Sequence, residues 1–267
     1  YGWSYVFFAA VAPVLLIPFV LQSMPESMPF LIKMGRIDEL KKIVSRMEPS
    51  YTPSANDTFE LPSSHKASSA PVGKLFQDGR GFSTIMIWVA FFMCLFMVYA
   101  LSSWLTKLMA SAGYSLGSAL TFVLVLNFGA MIGAIGGGWL ADRFNIKYVL
   151  MCFYALAAVS ITLLGVKMPT ELLFFVVGLA GASTIGTQIL TYAYTGQFYP
   201  MSIRSTGIGL ASGMGRSGAI LAPIVIGTLV GMALPLQQNF IAIAIPAVIA
   251  VIAVGLVNHK LSASAQH

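Results

Sequence analysis

The sequence predicts an all-α membrane protein with seven transmembrane helices. The first observation behind this is compositional: 57% of the 267 residues are hydrophobic and only 9% charged, with a mean hydropathy of +0.83, whereas a soluble domain carries about 25% charge. The second is length. Uncharged runs reach, again and again, the roughly 20 apolar residues that a helix needs to cross a ~30 Å hydrocarbon core. A third is the recurrence inside those runs of small residues at four-residue spacing, which lets helix backbones approach closely in lipid. The same composition excludes most soluble enzymes. The net charge of +6 does not indicate nucleic acid, because eight of the fifteen Lys and Arg fall within 22–80, mixed there with seven acids.

The spans are expected at 3–21, 82–104, 117–140, 148–166, 172–194, 207–232 and 240–257. Lys and Arg near span ends stay on the cytoplasmic side. One parity of connections holds twelve of them, the other only Lys107 and Lys167. Tyr1 is therefore expected outside (periplasmic) and His267 inside. Residues 1–22 form the first span, and 23–81 a cytoplasmic loop of two parts. In 36–47 the apolar Ile37, Leu40, Ile43, Val44 and Met47 recur at three- and four-residue steps, with Lys41, Lys42 and Arg46 on other faces. That pattern predicts a short helix on the inner membrane surface. In 49–71, four prolines and six serines make a linker. Residues 82–257 form a six-helix bundle and 258–267 a cytoplasmic tail. With no initiator Met and no basic segment ahead of the first apolar run, no signal peptide is expected, and the chain is expected to begin within a longer protein.

Within the spans, rows of small residues stand at Gly129, Gly133 and Gly137; Gly178, Ala182 and Gly186; Gly207, Ala211 and Gly215; and Gly209 and Gly213. Bundle packing explains such rows, and helices that slide past one another would use them too. Pro13, Pro18, Pro223 and Pro246 predict kinks. Cys94 and Cys152 lie in apolar runs and are read as small core residues. The histidines His65, His259 and His267 lie outside the spans, there is no His-Glu-x-x-His or Gly-x-Ser-x-Gly motif, and Gly136-Gly137-Gly138 lacks the Lys-Ser/Thr of a phosphate loop. No metal, cofactor, enzyme activity or nucleic-acid partner is expected.

Between the third and fourth spans stands Gly138-Trp139-Leu140-Ala141-Asp142-Arg143-Phe144-Asn145-Ile146-Lys147. It resembles the loop signature of the major facilitator superfamily, Gly-x-x-x-Asp-Arg-x-Gly followed by basic residues. Asn145 replaces the usual Gly, a change a left-handed turn would tolerate, and Ile146 replaces one cation. Pro25-Glu26-Ser27 with Phe30 and Leu31 resembles the segment after the sixth of twelve spans in that superfamily. The run from Tyr199-Pro200-Met201-Ser202-Ile203-Arg204-Ser205-Thr206-Gly207 to Gly213-Met214-Gly215-Arg216-Ser217-Gly218-Ala219-Ile220-Leu221-Ala222-Pro223 is similar to the aromatic acid:proton symporter family. Phe76-Gln77-Asp78-Gly79-Arg80-Gly81-Phe82 and Trp104-Leu105-Thr106-Lys107 look closest to its benzoate carriers.

The resemblance covers nearly the whole chain. It implies the sixth span, the central loop and the C-terminal six-helix half of a twelve-span transporter in an inner membrane. It further implies an aromatic carboxylate such as benzoate as substrate, protons as the coupled ion, the lipid bilayer as solvent, and a missing N-terminal half holding the coupling carboxylate. Alternatives are a facilitator for another organic anion or a sugar, and a heptahelical receptor or light-driven pump. The last span contains no lysine for a retinal Schiff base.

Arg216 lies nine residues past Gly207, about 14 Å into the core at 1.5 Å per residue. An unpaired arginine at that depth costs at least ~2.5 kcal/mol, so it is expected to face the bundle interior, either binding the substrate carboxylate or held in a structural ion pair or backbone contact. Tyr99, Trp88, Asn127, Gln188 and Tyr192 are the other candidates for a pocket, and each is as readily a helix contact. Asp142, Arg143 and Arg204 fall on one side by the charge count and are candidate gating residues: Asp142 is expected to pair with Arg204 in the state closed to the cytoplasm, with Arg143 competing.

Overall fold

A computed structural model of the chain describes residues 17–19, 26, 28–48, 52, 54, 57, 59 and 72–263. The expected span 3–21 falls outside the described residues apart from 17–19, which are helical. Most of the 49–71 linker, Pro13 and residues 264–267 lie outside them too. The chain divides into two units, 1–67 and 68–267.

In the first unit, α1 (Met28–Lys33) is followed by α2 (Ile37–Met47). α1 ends at Gly35, whose φ of +70° suits a residue without Cβ, and the Arg36 amide closes the turn on the Leu31 carbonyl at 3.0 Å. α2 matches the expected amphipathic helix within one residue. Arg36 and Glu39 pair at 2.5 Å on its exposed side, and Leu40 is buried. The Lys41 ammonium donates to the Ser54 carbonyl.

Among the described residues, the second unit holds six helices long and apolar enough to cross a membrane: α3 (Gly81–Ser111), α4 (Leu116–Arg143), α5 (Ile146–Leu163), α6 (Thr170–Phe198), α7 (Arg204–Gly231) and α8 (Leu236–Leu256). Several outrun the expected spans. α3 continues past Trp104 because Leu105, Leu108 and Met109 keep its buried stripe going, and it stops at Gly113, φ +96°. There the Tyr114 amide reaches back to Met109 O at 3.2 Å and the Gly113 amide to Ala110 O at 3.0 Å.

α4 lies along α6, α3 lies along α7, and α8 packs on α5 and α3. The small-residue rows set these pairings. A Cβ on Gly129 would strike the Gly178 carbonyl, one on Gly133 the Ala182 carbonyl, and one on Gly181 the Leu126 carbonyl, so the α4 and α6 rows face each other. On α7, Gly215 faces Leu95 (2.5 Å from an added Cβ) and Gly218 the Phe92 carbonyl. Gly209 and Gly213 have nothing within 4 Å. That row, then, does not pack within this unit.

Inside the bundle, Tyr154 Oη and Thr191 Oγ1 share a hydrogen bond of 2.8 Å, and Cys94 Sγ donates to Thr187 Oγ1 at 3.9 Å. Hydroxyls on α6 satisfy themselves one turn back, Thr191 on Thr187 O at 2.6 Å and Thr195 on Thr191 O at 2.7 Å. This polar seam joins α3, α5 and α6 where lipid supplies no competing partners. Two expectations are corrected here. Cys94 is buried but Cys152 is exposed, because the buried stripe of α5 runs through Val149, Leu150, Tyr154 and Ala157 and turns position 152 outward. Asn145 is not left-handed: at φ −60°, ψ 117° it caps α5, its Oδ1 accepting the Lys147 amide at 3.0 Å.

Candidate substrate-binding face

α7 carries two stripes. Gly207, Ala211, Gly215, Gly218 and Ala222 are buried, since only small residues let α7 approach its neighbours. Arg216 follows Gly215 by one position, a turn of about 100° in a helix of 3.6 residues per turn, and so points away from that contact. It shares the opposite, open face with Gly209, Gly213 and the exposed Ile220. Arg216 is exposed on this unit rather than turned into the six-helix interior, which corrects the expectation. Small residues won the inward face.

Arg216 Nη1 donates to Tyr99 Oη at 3.2 Å. Tyr99 stands on α3, 37% exposed, and this bond brings two of the expected site residues together. Among the described residues the only ion pairs are Arg36–Glu39 and Arg80–Asp78, so no described carboxylate neutralises Arg216. Twelve residues into a 28-residue helix, the guanidinium stands roughly 18 Å from the start of α7. Facing lipid there, it would cost about 2.5–3.5 kcal/mol or more. The face around it therefore requires water, protein or an anion.

The other candidates spread along the bundle. Tyr192 packs edge-on against Phe91 at 4.8 Å, eight residues before Tyr99 or about 12 Å along α3. Gln188, partly exposed, precedes Tyr192 by one turn of α6. Asn127 is exposed on α4 with its amide turned to its own helix, Nδ2 to Val123 O at 2.8 Å. Trp88 is not brought to Arg216: it packs on Phe76 at 5.7 Å, eleven residues before Tyr99.

The candidate gating residues are not joined in this structure. Arg204 Nε donates to Tyr199 O at 3.3 Å, the Arg143 guanidinium lies 4.2 Å from the centre of the Trp139 ring, and Asp142 is exposed and in no ion pair among the described residues.

That end of the bundle carries a clasp that sequence reasoning missed. Lys147 Nζ donates to Gly255 O and Val257 O at 2.9 and 2.8 Å, capping α8. The Asn258 amide bonds Ser83 Oγ at 3.1 Å, Ser262 Oγ bonds Gln197 O at 3.1 Å, and His259 stacks on Tyr194 at 6.1 Å with Asn145 Nδ2 3.4 Å from its Nε2. Burial first, then the Lys147 charge, lowers the His259 pKa. Tyr199 Oη donates to Thr84 Oγ1 at 3.1 Å. Its ring fills the space a side chain on Gly207 would need, and burial raises its phenol pKa. Only Lys147, just past the Asp-Arg turn, signalled this clasp in the sequence.

Residues 127–265 match the family model described as Major Facilitator Superfamily. The chain belongs to the Major Facilitator Superfamily. Among curated relatives it is 44% identical over 261 residues to the benzoate transport protein of Acinetobacter baylyi, covering 97% of this chain and 56% of the relative. It is 33% identical to the 4-hydroxybenzoate transporter PcaK of Pseudomonas putida, covering 97% of this chain and 59% of that protein. The chain thus spans a little over half the length of these relatives. Among solved structures it resembles the Escherichia coli fucose:proton symporter FucP, with a TM-score of 0.62 at 16% identity, over 94% of this chain and 66% of FucP. That likeness concerns the fold alone. Family membership sets aside the heptahelical receptor or light-driven pump, and the relatives are transporters rather than enzymes.

Proposed function

We propose that this chain is the sixth span and C-terminal six-helix half of a twelve-span secondary transporter that moves an aromatic carboxylate such as benzoate, with protons, across a bacterial inner membrane. Tyr1 is periplasmic and His267 cytoplasmic. The observation that carries the reading is Arg216: a guanidinium at mid-span, bonded to Tyr99, unneutralised by any described carboxylate and set on a face left bare by the bundle. A facilitator places its site between two six-helix halves near the bilayer midplane, and a guanidinium offers paired donors matching both oxygens of a carboxylate. The names of the relatives, benzoate and 4-hydroxybenzoate transporters, support that substrate class.

Arg216 and Tyr99 hold the carboxylate, and Gly213 leaves room beside them for the ring. Gln188, Tyr192 and Asn127 line the wall when the N-terminal half covers this face. Trp88 contributes to the end of α3 rather than to the site. With no acid in the helices beside Arg216, the coupling carboxylate belongs to the N-terminal half. Asp142, Arg143 and Arg204 act at the cytoplasmic gate. The test is uptake of labelled benzoate by the full-length carrier in proteoliposomes with an imposed inward proton gradient, competed by hydroxybenzoates and by fucose. Gradient-dependent accumulation, displaced by the aromatic acids and not by fucose, is expected. Accumulation indifferent to the proton gradient, or displaced by the sugar, contradicts the reading.

A further inference from the structure

At the end of the bundle away from the clasp, a cavity of about 440 Å³ opens among the ends of α3, α6 and α8 and the α5–α6 connection. Its wall combines Met109, Met168 and Leu236 with Tyr114 and Lys167. The rim is built rather than incidental. Tyr114 is held edge-on against Phe122 at 5.3 Å, and the start of α8 packs so closely on Gly165 that an added Cβ would lie 2.7 Å from Gln237 Cα.

Charge at this end is sparse: Lys107, Lys167 and Glu171 are its charged residues. Lys107 is engaged over the Trp104 ring at 4.8 Å. Lys167 and Glu171 make no ion pair with each other or with another described residue, so Lys167 remains free to serve a ligand. One exposed cationic residue in the lining of a thioether-, aliphatic- and phenol-lined cavity, in the size range of small-molecule pockets of about 300–1,000 Å³, fits an anion with a compact apolar body. It does not fit a neutral sugar, which would need many polar groups.

We infer that this cavity is a second, peripheral site for a small aromatic carboxylate, the Lys167 ammonium holding the carboxylate while the ring lies between Met109, Met168 and Leu236. The inference rests on the proposed substrate class for its ligand, though not on transport itself. The same chemistry, an anion with an apolar body, could be supplied by an anionic lipid headgroup, and the test separates the two.

The full-length carrier, depleted of its other reactive cysteines and carrying Ala112→Cys on the cavity wall, is placed in nanodiscs of phosphatidylcholine alone or with phosphatidylglycerol. Its rate of modification by a hydrophilic thiol reagent is measured with and without benzoate. Benzoate is expected to slow modification in phosphatidylcholine. Protection should persist in Lys167→Arg and Arg216→Gln and be lost in Lys167→Gln. Protection that survives Lys167→Gln, that disappears with Arg216→Gln, or that arises only from phosphatidylglycerol without benzoate overturns the inference. Protection in a carrier that accumulates no aromatic acid would leave this site standing and overturn the transport reading instead.

Discussion

At the scale of single residues, glycines that look alike in the sequence differ sharply in what they touch. Gly133 sits so close to Ala182 that any Cβ meets its carbonyl, while three residues on Gly136 has nothing within 4 Å. Overpacking a helix contact costs about 1–3 kcal/mol. Gly133→Val should therefore lower the thermal unfolding midpoint of the purified full-length carrier, and Gly136→Ala should hold or raise it through better helix propensity. Equal effects would mean that the α4–α6 approach is not what holds the pair. Arg216 follows the same logic in reverse. Its depth was legible from its distance to Gly207, but its direction was not, because α7 carries two small-residue rows and a sequence does not say which of them packs. Gly215 and Gly218 took the contact with α3 and Gly207 the one with the Tyr199 ring, leaving Gly209, Gly213 and Arg216 on the open face.

At the scale of elements, the six long helices and the amphipathic α2 were legible because hydropathy and three-to-four-residue periodicity are properties of contiguous sequence. The clasp was not, since it joins Ser83, the turn holding Asn145 and Lys147, Gln197 and the end of the chain past α8 from four separated places. His259 gives it a pH dependence. Its pKa in the fold is below the ordinary ~6.5, so the unfolded or detached tail binds the proton more readily. The contribution of His259 is complete above about pH 6.5 and shrinks as pH falls from there toward the lowered folded value. The hydrogen-exchange protection factors of the 258–262 amides, taken relative to their intrinsic exchange rates at each pH, should fall on acidification across that window, and His259→Gln should abolish the fall. A flat profile in the native protein would show that the ring carries no such load. At the same end, Asp142 and Arg204 stand apart here. If they pair when the carrier closes to the cytoplasm, Asp142→Asn removes an exposed interaction of ~0–1 kcal/mol, enough to shift two states of similar energy. Engineered cysteines on the cytoplasmic side should become more reactive with substrate affinity retained. Unchanged reactivity with weakened binding would move Asp142 to the site.

At the scale of the whole molecule, two helices carry bare faces. Leu124, Phe128, Met131 and Ile135 of α4 are 71%, 65%, 61% and 75% exposed, and α7 presents Arg216 to open space. An apolar face suits lipid or protein, but a mid-span guanidinium suits neither hydrocarbon nor a dry contact, and the proposed binding face is therefore expected to be a covered, wettable cavity beside α7. If that cavity needs a second half, this chain reconstituted alone should show no proton-driven accumulation of any aromatic acid, and saturable uptake by it would overturn the two-half account. The central claim, that Arg216 receives the substrate carboxylate, is tested most directly by benzoate affinity measured calorimetrically on the folded full-length carrier and its Arg216→Lys and Arg216→Gln variants. Losing a charge-assisted hydrogen bond is worth about 1.5–3 kcal/mol, or roughly 10–150-fold in Kd. Gln should weaken binding by that order and Lys by less, while both proteins stay inserted and folded. Unaltered benzoate affinity in a well-folded Arg216→Gln carrier would contradict the claim.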